Sequence, residues 1–167
     1  MLTVIRSMKE LCFGQLMDVY AQTNRATARE RWSSEPESYG VALAEQDFYN
    51  YLDTGFFRTL GASYCVWQEN GCYVSALRLE PWRDGLLVEA LETAPERRNR
   101  GYAYALLRSV QAYLGEQGTV RLYSHISKRN NASIAVHEKC GFRKIANMAA
   151  YLDGSVDARS GTYLYEA

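Results

Sequence analysis

One stretch of this 167-residue chain, from Leu86 to Tyr113, reads LLVEALETAPERRNRGYAYALLRSVQAY. It contains, in order, an apolar strand, a proline turn, a basic loop with one glycine, and a helix. The start of a helix carries unpaired N–H groups and the positive end of the helix dipole, so the preceding loop can hold phosphate oxygens. Gly101 lets the backbone approach a ligand, while Arg97, Arg98 and Arg100 add positive charge. The stretch therefore predicts an anion site, and a pyrophosphate fits it best.

A second pattern, NNASIAVHEKCGF, occupies residues 130–142. Asn130 or Asn131 can cap the start of a short helix, and Gly141 can end it. Between the two patterns, the residues from Thr119 to Ile126 predict a strand. A strand, a helix and a second strand in this order predict a crossover that joins two parallel neighbours, with the phosphate loop at the carboxyl end of the first.

Both patterns resemble motifs of the GNAT superfamily, the acetyl-CoA-dependent N-acetyltransferases. The segment from Arg98 to Ala103, RNRGYA, is similar to the family's Q/R-x-x-G-x-G/A signature, and Pro95 precedes it as in the family's order of strand, proline, basic loop and helix. The second pattern is similar to the later motif, in which Asn and Ser open a helix that ends at Gly-Phe. Two motifs in the expected order arise by chance less often than one motif alone, so together they support the resemblance more strongly.

The resemblance implies an α/β, GNAT-like acyl-CoA acyltransferase fold, a mixed central sheet of about seven strands with about four helices. We expect residues 1–167 to form a single domain of this kind. The remaining predicted elements follow from periodicity and turn signals. They are a first strand at 1–6, helices at 7–31, 38–53 and 100–114, a hairpin at 62–79 turning at Asn70-Gly71, the central strand at 86–93, and two antiparallel strands at 142–152 and 160–165.

The resemblance also implies the donor, acetyl-CoA, and the residues that hold it. In the family, backbone amides of the central strand bind the pantetheine arm and polarise the thioester carbonyl where two strands splay apart, and the basic loop holds the pyrophosphate. By position, the expected cofactor-binding residues in this chain are Leu91, Glu92, Thr93, Arg98, Asn99, Arg100, Gly101, Tyr102, Ala103, Asn130 and Ser133.

Acetyl transfer to an amine needs a group that takes a proton from the amine, and two carboxylates are in reach. Glu89 and Glu92 are three apart on one strand, so we expect them on opposite faces. We favour Glu89 as the base, because its apolar neighbours would raise its pKa. A water relay without a fixed base, and a carboxylate that is only paired with an arginine, stay open as alternatives.

The leaving thiolate needs a proton, which most of the family supply from a tyrosine four residues before the Gly of Gly-Phe. Here that residue is His137, as in the phosphinothricin-acetyltransferase-like branch, and we expect it to be the acid. Tyr102, solvent, and a purely structural His137 are the alternatives. His125, at the end of the strand after the crossover, is a second candidate for acid, base or substrate contact.

The acceptor is the least determined part. The formal net charge is zero, which favours a small-molecule amine or a peptide over nucleic acid or a membrane. In the resembled family the first two helices form a wall of the acceptor cleft. The expected contributors there are therefore Trp32, Tyr39, Phe48 and Tyr51, all equally compatible with core packing, and the carboxylates Glu35, Glu37, Glu45 and Asp47, which could attract a cationic amine.

The four cysteines do not have the spacing of a metal site, so we expect neither zinc nor disulfides. The sequence shows neither a signal peptide nor a membrane-spanning stretch, which predicts a cytoplasmic protein. A homodimer stays open. The predicted function is N-acetylation of a primary amine by direct transfer from acetyl-CoA in a ternary complex. The alternative is a GNAT-like module that binds acetyl-CoA without transferring the acetyl group, and a Rossmann-type nucleotide site is disfavoured because G-x-G-x-x-G is incomplete.

Overall fold

The computed structural model describes residues 1–119 and 121–167. The helices are α1 (Phe13–Val19), α2 (Ala21–Arg31), α3 (Glu37–Thr54), α4 (Tyr102–Glu116) and α5 (Asn131–Lys139), with 3₁₀ turns at Phe56–Arg58 and Pro95–Arg97. The strands are β1 (Leu2–Ile5), β2 (Ser63–Glu69), β3 (Cys72–Trp82), β4 (Gly85–Thr93), β5 (Arg121–Ser127), β6 (Arg143–Ala146), β7 (Ala149–Ala150), β8 (Val156–Asp157) and β9 (Ser160–Glu166).

Seven of these strands form one mixed sheet in the order β1-β2-β3-β4-β5-β9-β6, and β7 and β8 form a small separate pair. β4 and β5 are parallel neighbours joined through α4, as the crossover predicts, and the other pairs in the sheet are antiparallel. The expected α/β fold with a seven-stranded mixed sheet is therefore confirmed. The last two predicted strands pair as β6 and β9 in antiparallel fashion, with β6 at the edge of the sheet and β9 between β5 and β6.

The helix predicted for residues 7–31 is wrong in two respects. The chain turns between Ser7 and Cys12, and two helices follow that meet at Tyr20, where α1 ends and α2 begins. The apolar spacing that suggested one helix comes from α1 and the junction, where the Tyr20 side chain is buried together with Leu16 and Val19. The described residues thus form five α-helices, where about four were expected. Val120, part of the predicted strand at 119–126, lies outside the described residues.

Apolar side chains cover both faces of the sheet. One cluster joins α1 and α3 to the face that carries Tyr64, Val66 and Ala76. The other packs α4 and α5 against the opposite face, which carries Cys65, Leu77 and Val88. Burying both faces is what removes the sheet from water and gives the domain its core.

The parallel pair closes tightly at one end and opens at the other. At the closed end a Cβ on Gly85 would lie 2.4 Å from the carbonyl oxygen of Arg121, so only glycine allows this approach. Pairing between β4 and β5 ends at Val88 opposite Ser124. Beyond that point the two strands diverge, and the gap between them positions the site.

Candidate active site

A bulge in β4 lies beside this gap. Arg78 of β3 pairs with Glu89, whereas Ala76, two residues away, pairs with Glu92, so β4 has one residue more than β3 between these pairs. Ala90 adopts a φ of +50°, which is unusual for a residue other than glycine. An extra residue of this kind defines a β-bulge, which bends the strand.

The bulge corrects the prediction that Glu89 and Glu92 lie on opposite faces. Their partners Arg78 and Ala76 are two residues apart on β3 and share a face, so Glu89 and Glu92 also share a face. The extra residue at Ala90 shifts the alternation by one position. For the same reason Glu89 does not share a face with Leu91, which packs on the α4 side of the sheet.

A cavity of about 690 Å³ occupies the gap between β4 and β5 and extends to the start of α4. All of the predicted cofactor-binding residues line it except Arg100, which is exposed. His125 and His137 also line the cavity, as does Thr23 of α2. Glu89 does not, although its neighbour Ala90 does. The two sequence motifs, distant along the chain, therefore border one space.

The loop before α4 has the shape that the sequence predicts for an anion site. Gly101 has a φ of +82°, a conformation that favours glycine, and nothing lies within 4 Å of a Cβ placed there. Asn99 has a φ of +60°. Two left-handed residues bracket a turn whose N–H groups continue into the helix, a geometry that binds anions. The open face at Gly101 leaves room for a phosphate, so the residues present fit the pyrophosphate of acetyl-CoA.

Two of the three loop arginines already contact carboxylates. Arg97 lies 3.3 Å from Glu69, and the Tyr102 hydroxyl donates to that same carboxylate at 2.7 Å. Arg98 donates to the carbonyl oxygen of Thr93 at 3.1 Å and lies 4.0 Å from Glu92. These pairs fix the loop to β2 and β4. Nothing in the sequence pattern pointed to Glu69.

The Glu92 carboxylate is held by two elements. It accepts a hydrogen bond from the Thr23 hydroxyl of α2, and it forms an ion pair with Arg98. Burial raises the pKa of Glu92, while the Thr23 hydroxyl and the Arg98 guanidinium lower it. No local pattern marks Thr23 as a site residue, because its role depends on where α2 crosses the sheet.

Glu89 lies beside Arg78, with 3.5 Å between carboxylate and guanidinium. Burial raises the pKa of the Glu89 carboxyl, Arg78 lowers it, and the negative charge of Glu80 raises it further. The Arg78 guanidinium also lies 5.1 Å from the ring centre of Tyr51, whose hydroxyl donates to Glu80 at 3.0 Å. Sequence reasoning missed Arg78, although a charge within an apolar strand is a usable signal.

Of the four aromatic residues predicted for the acceptor wall, Tyr51 is the one placed near Glu89. Phe48 packs against Tyr20 and Tyr51, and the ring of Trp32 forms a cation–π contact with the Arg31 guanidinium. Tyr39 is 54% exposed. Two of the nearby carboxylates are paired, Glu37 with Arg29 and Asp47 with Arg31.

His125 lies at the open end of β5 between two aromatic rings. Its ring centre is 5.3 Å from Trp82 and 5.0 Å from Tyr151, both edge-on. Among the described residues, neither ring nitrogen has a hydrogen-bond partner. Burial lowers the pKa of His125, and the charge of Arg83 lowers it further. A neutral imidazole with a free nitrogen beside the cavity can accept a proton.

His137 is 1% exposed. Its Nδ1 lies 2.8 Å from the carbonyl oxygen of Ser133, and a carbonyl only accepts, so Nδ1 carries the proton. Nε2 is buried and has no partner among the described residues. Burial lowers the pKa of His137, and the bond to the Ser133 carbonyl raises it. A neutral His137 in this tautomer holds no proton on Nε2, which argues against its predicted role as proton donor.

The short helix α5 begins where the sequence predicts. The Asn130 side chain accepts a hydrogen bond from the Ser133 N–H at 3.0 Å, which caps the helix. At the other end Gly141 has a φ of +86°, as expected for a residue that ends a helix. Capping fixes Asn130 and Ser133 at the edge of the cavity.

Comparison with known proteins agrees with this geometry. Residues 21–142 match the model of the acetyltransferase (GNAT) family, so the chain belongs to that family. It is therefore an acetyl-CoA-dependent acetyltransferase, as its two motifs predict. A search of curated proteins found no match.

Solved structures share the fold at low sequence identity. PaiA N-acetyltransferase from Thermoplasma acidophilum, solved with coenzyme A, is 11% identical over 100% of this chain and 99% of its own, with a TM-score of 0.66. The ribosomal-protein-S18-alanine N-acetyltransferase from Escherichia coli is 18% identical over 99% and 94%, with a TM-score of 0.62. The IAA acetyltransferase from Bacillus cereus is 12% identical over 100% of both chains, with a TM-score of 0.60.

Among the described residues, no helix has the length and apolar character needed to cross a bilayer. Cys12 and Cys72 are exposed thiols, whereas Cys65 and Cys140 are buried. Burial raises the pKa of Cys65 to about 12 and that of Cys140 to about 11, so both buried thiols are protonated at neutral pH.

Proposed function

We propose that this chain moves the acetyl group of acetyl-CoA to a primary amine of a small molecule or peptide, by direct transfer in a ternary complex. The observation that supports this most strongly is the cavity between β4 and β5. It runs from the N-terminus of α4 to the bulge at Ala90 and is bordered by both GNAT motifs. When bound, acetyl-CoA supplies an activated acetyl thioester.

The residues that would hold acetyl-CoA divide into two groups. The loop from Arg98 to Ala103 would bind the pyrophosphate through backbone N–H groups at the start of α4. The segment of β4 from Leu91 to Thr93 would bind the pantetheine arm, since β5 no longer pairs with it beyond Val88. Asn130 and Ser133 would border the arm from the side of α5.

Glu89 is the proposed proton acceptor for the amine. Its carboxylate is about a quarter exposed, which leaves it reachable, and burial raises its pKa toward the range useful for a base. His125 is the second candidate, because its pKa is lowered and its ring nitrogens are free among the described residues. The thiolate would take its proton from solvent in the open cavity, since the Tyr102 hydroxyl is bound to Glu69.

The acceptor is proposed to approach from the α1–α3 side of the sheet. Glu89 faces that side, beside Arg78, whose guanidinium lies over the ring of Tyr51. Aromatic rings and the carboxylates of Glu80 and Glu89 favour an amine that carries a positive charge elsewhere in the molecule.

An amine panel tests this function directly. Purified protein is incubated with acetyl-CoA and with polyamines, aminoglycosides, aryl-alkylamines, amino acids and peptides, and release of the coenzyme A thiol is measured. We expect turnover with cationic or aromatic amines. Binding of acetyl-CoA by calorimetry without thiol release from any amine would support the non-transferring module instead. Turnover confined to anionic amines would contradict the charge argument.

A further inference from the structure

A pair of buried tyrosines contacts the bulge in β4. Tyr64 of β2 is fully buried, and its hydroxyl donates to the Tyr20 hydroxyl at 2.9 Å. Tyr20, 3% exposed at the junction of α1 and α2, donates in turn to the carbonyl oxygen of Ala90 at 2.6 Å. The two phenols thus form a chain of hydrogen bonds that ends on the residue at the centre of the bulge.

Ala90 needs support at this position. Its φ of +50° brings the Cβ of an L-residue close to the backbone, a conformation that persists only where the surroundings hold it. Its carbonyl oxygen points toward the tyrosine pair and accepts a hydrogen bond from it, which ties the exposed bulge to the buried core. The Tyr20 hydroxyl is the donor.

We propose that Tyr20 is a positioning residue for acetyl transfer. Its hydroxyl holds Ala90 in the left-handed conformation, and this fixes the bulge that brings Glu89 and Glu92 to one face and sets the position of Leu91–Thr93 along the cavity, where β5 no longer pairs with β4. Tyr64 acts only through Tyr20, by fixing the direction of its hydroxyl. The proposal rests on the proposed function, since Glu89 and the β4 backbone take part in the reaction only if acetyl-CoA binds in this cavity.

The test compares Tyr20→Phe with Tyr64→Phe. Each substitution removes one buried hydroxyl and keeps the ring, so the losses of core packing are matched. Only Tyr20→Phe removes the donor to Ala90. We expect it to lower kcat per folded molecule by about tenfold or more, because small misplacements of reacting groups are costly. Tyr64→Phe should lower kcat by less than about threefold, since the bond to Ala90 remains.

A second background separates positioning from general stability. Glycine tolerates the conformation of Ala90 without support, so the Tyr20→Phe effect is measured in the Ala90→Gly protein as well. We expect the loss in kcat caused by Tyr20→Phe to shrink to less than about threefold there. If Tyr20→Phe lowered kcat equally in the wild-type and Ala90→Gly backgrounds, or if Tyr20→Phe and Tyr64→Phe lowered kcat equally, the proposal would be overturned.

Backbone hydrogen exchange provides a readout that does not depend on turnover. Tyr20→Phe should speed exchange of the amides of residues 90–93 more than Tyr64→Phe does, with folding checked by thermal unfolding. A wild-type protein that acetylates no amine would refute the proposed function, and exchange would still decide the role of Tyr20. Unchanged exchange at 90–93 in Tyr20→Phe would remove Tyr20 as the support of the bulge.

Discussion

The carboxylate of Glu89 lies 3.5 Å from the guanidinium of Arg78, and both groups are mostly buried on the face of the sheet that carries α1 and α3. At this distance the pair holds the Glu89 carboxylate in place, while burial keeps its pKa above the ordinary value. The net result is a carboxylate that is more basic than a solvated one.

We expect Glu89→Gln to lower kcat by about 100-fold or more, the scale for loss of a general base. The amide keeps the shape of the side chain but cannot take a proton. In wild type the rate should rise with pH through the raised pKa of Glu89, because only the deprotonated form accepts a proton, and this limb should vanish in the variant. Turnover is measured from pH 4 to 9 at saturating acetyl-CoA.

Glu92→Gln is the matched control, since Glu92 shares the face and the bulge. Its carboxylate contacts Thr23 and Arg98. We therefore expect this variant to change the affinity for acetyl-CoA more than kcat, as calorimetry would show. A Glu89→Gln protein with the wild-type rate and pH profile would contradict the assignment of Glu89 as base.

His125→Asn tests the second candidate for the base. Burial, and then the charge of Arg83, lower the pKa of His125 below its ordinary value of about 6.5. Activity that depends on the neutral form should therefore persist below about pH 6.5 and be lost only as the pH falls through the lowered pKa. If Glu89 is the base, we expect His125→Asn to lower kcat by less than about tenfold while the Glu89 limb remains. A larger loss, with a limb that moves in His125→Asn and not in Glu89→Gln, would transfer the role to His125.

His137→Phe is expected to keep kcat per folded molecule within about threefold of wild type. The reason is the tautomer: Nδ1–H donates to Ser133 and Nε2 holds no proton to give. His137→Tyr places a phenol where most of the resembled family has one and should do no worse. A loss of about 100-fold in the Phe variant, restored by Tyr, would reinstate His137 as the acid.

His137 should also affect how stability depends on pH. The folded-state pKa is lowered, so between that value and about 6.5 the unfolded chain binds a proton that the folded chain does not. The contribution to stability is complete above about pH 6.5 and is lost as the pH falls through this window. Thermal unfolding of His137→Phe should therefore be less sensitive to pH below 6.5 than that of wild type.

The sequence predicted the parts of the molecule that local patterns encode. The loop at Gly101 and the cap at Asn130 each depend on residues that are close in the chain, and both lie where expected along one cavity. The face of Glu92 was not predictable by alternation, because a single extra residue at Ala90 shifts it and the stretch from Leu86 to Thr93 carries no glycine to mark the bulge.

Contacts between distant segments were beyond local patterns. Glu69 binds Tyr102 and Arg97 only because β2 ends beside the phosphate loop. Tyr20 reaches Ala90 only because the predicted long helix breaks into α1 and α2. Such pairings depend on the packing of helices on the sheet, which no periodicity in the chain records.

Gly101→Asp should abolish acetyl-CoA binding. An aspartate there adds a negative charge where a pyrophosphate is proposed to bind, and a side chain where the backbone must be approached. Gly118→Asp is the matched control: Gly118 has a φ of +80° and also has open space around its Cβ position, but it does not line the cavity. Both variants therefore carry the same backbone strain. Calorimetry should show no binding for Gly101→Asp and wild-type affinity for Gly118→Asp, and equal affinity in the two folded variants would remove the loop from the pyrophosphate site.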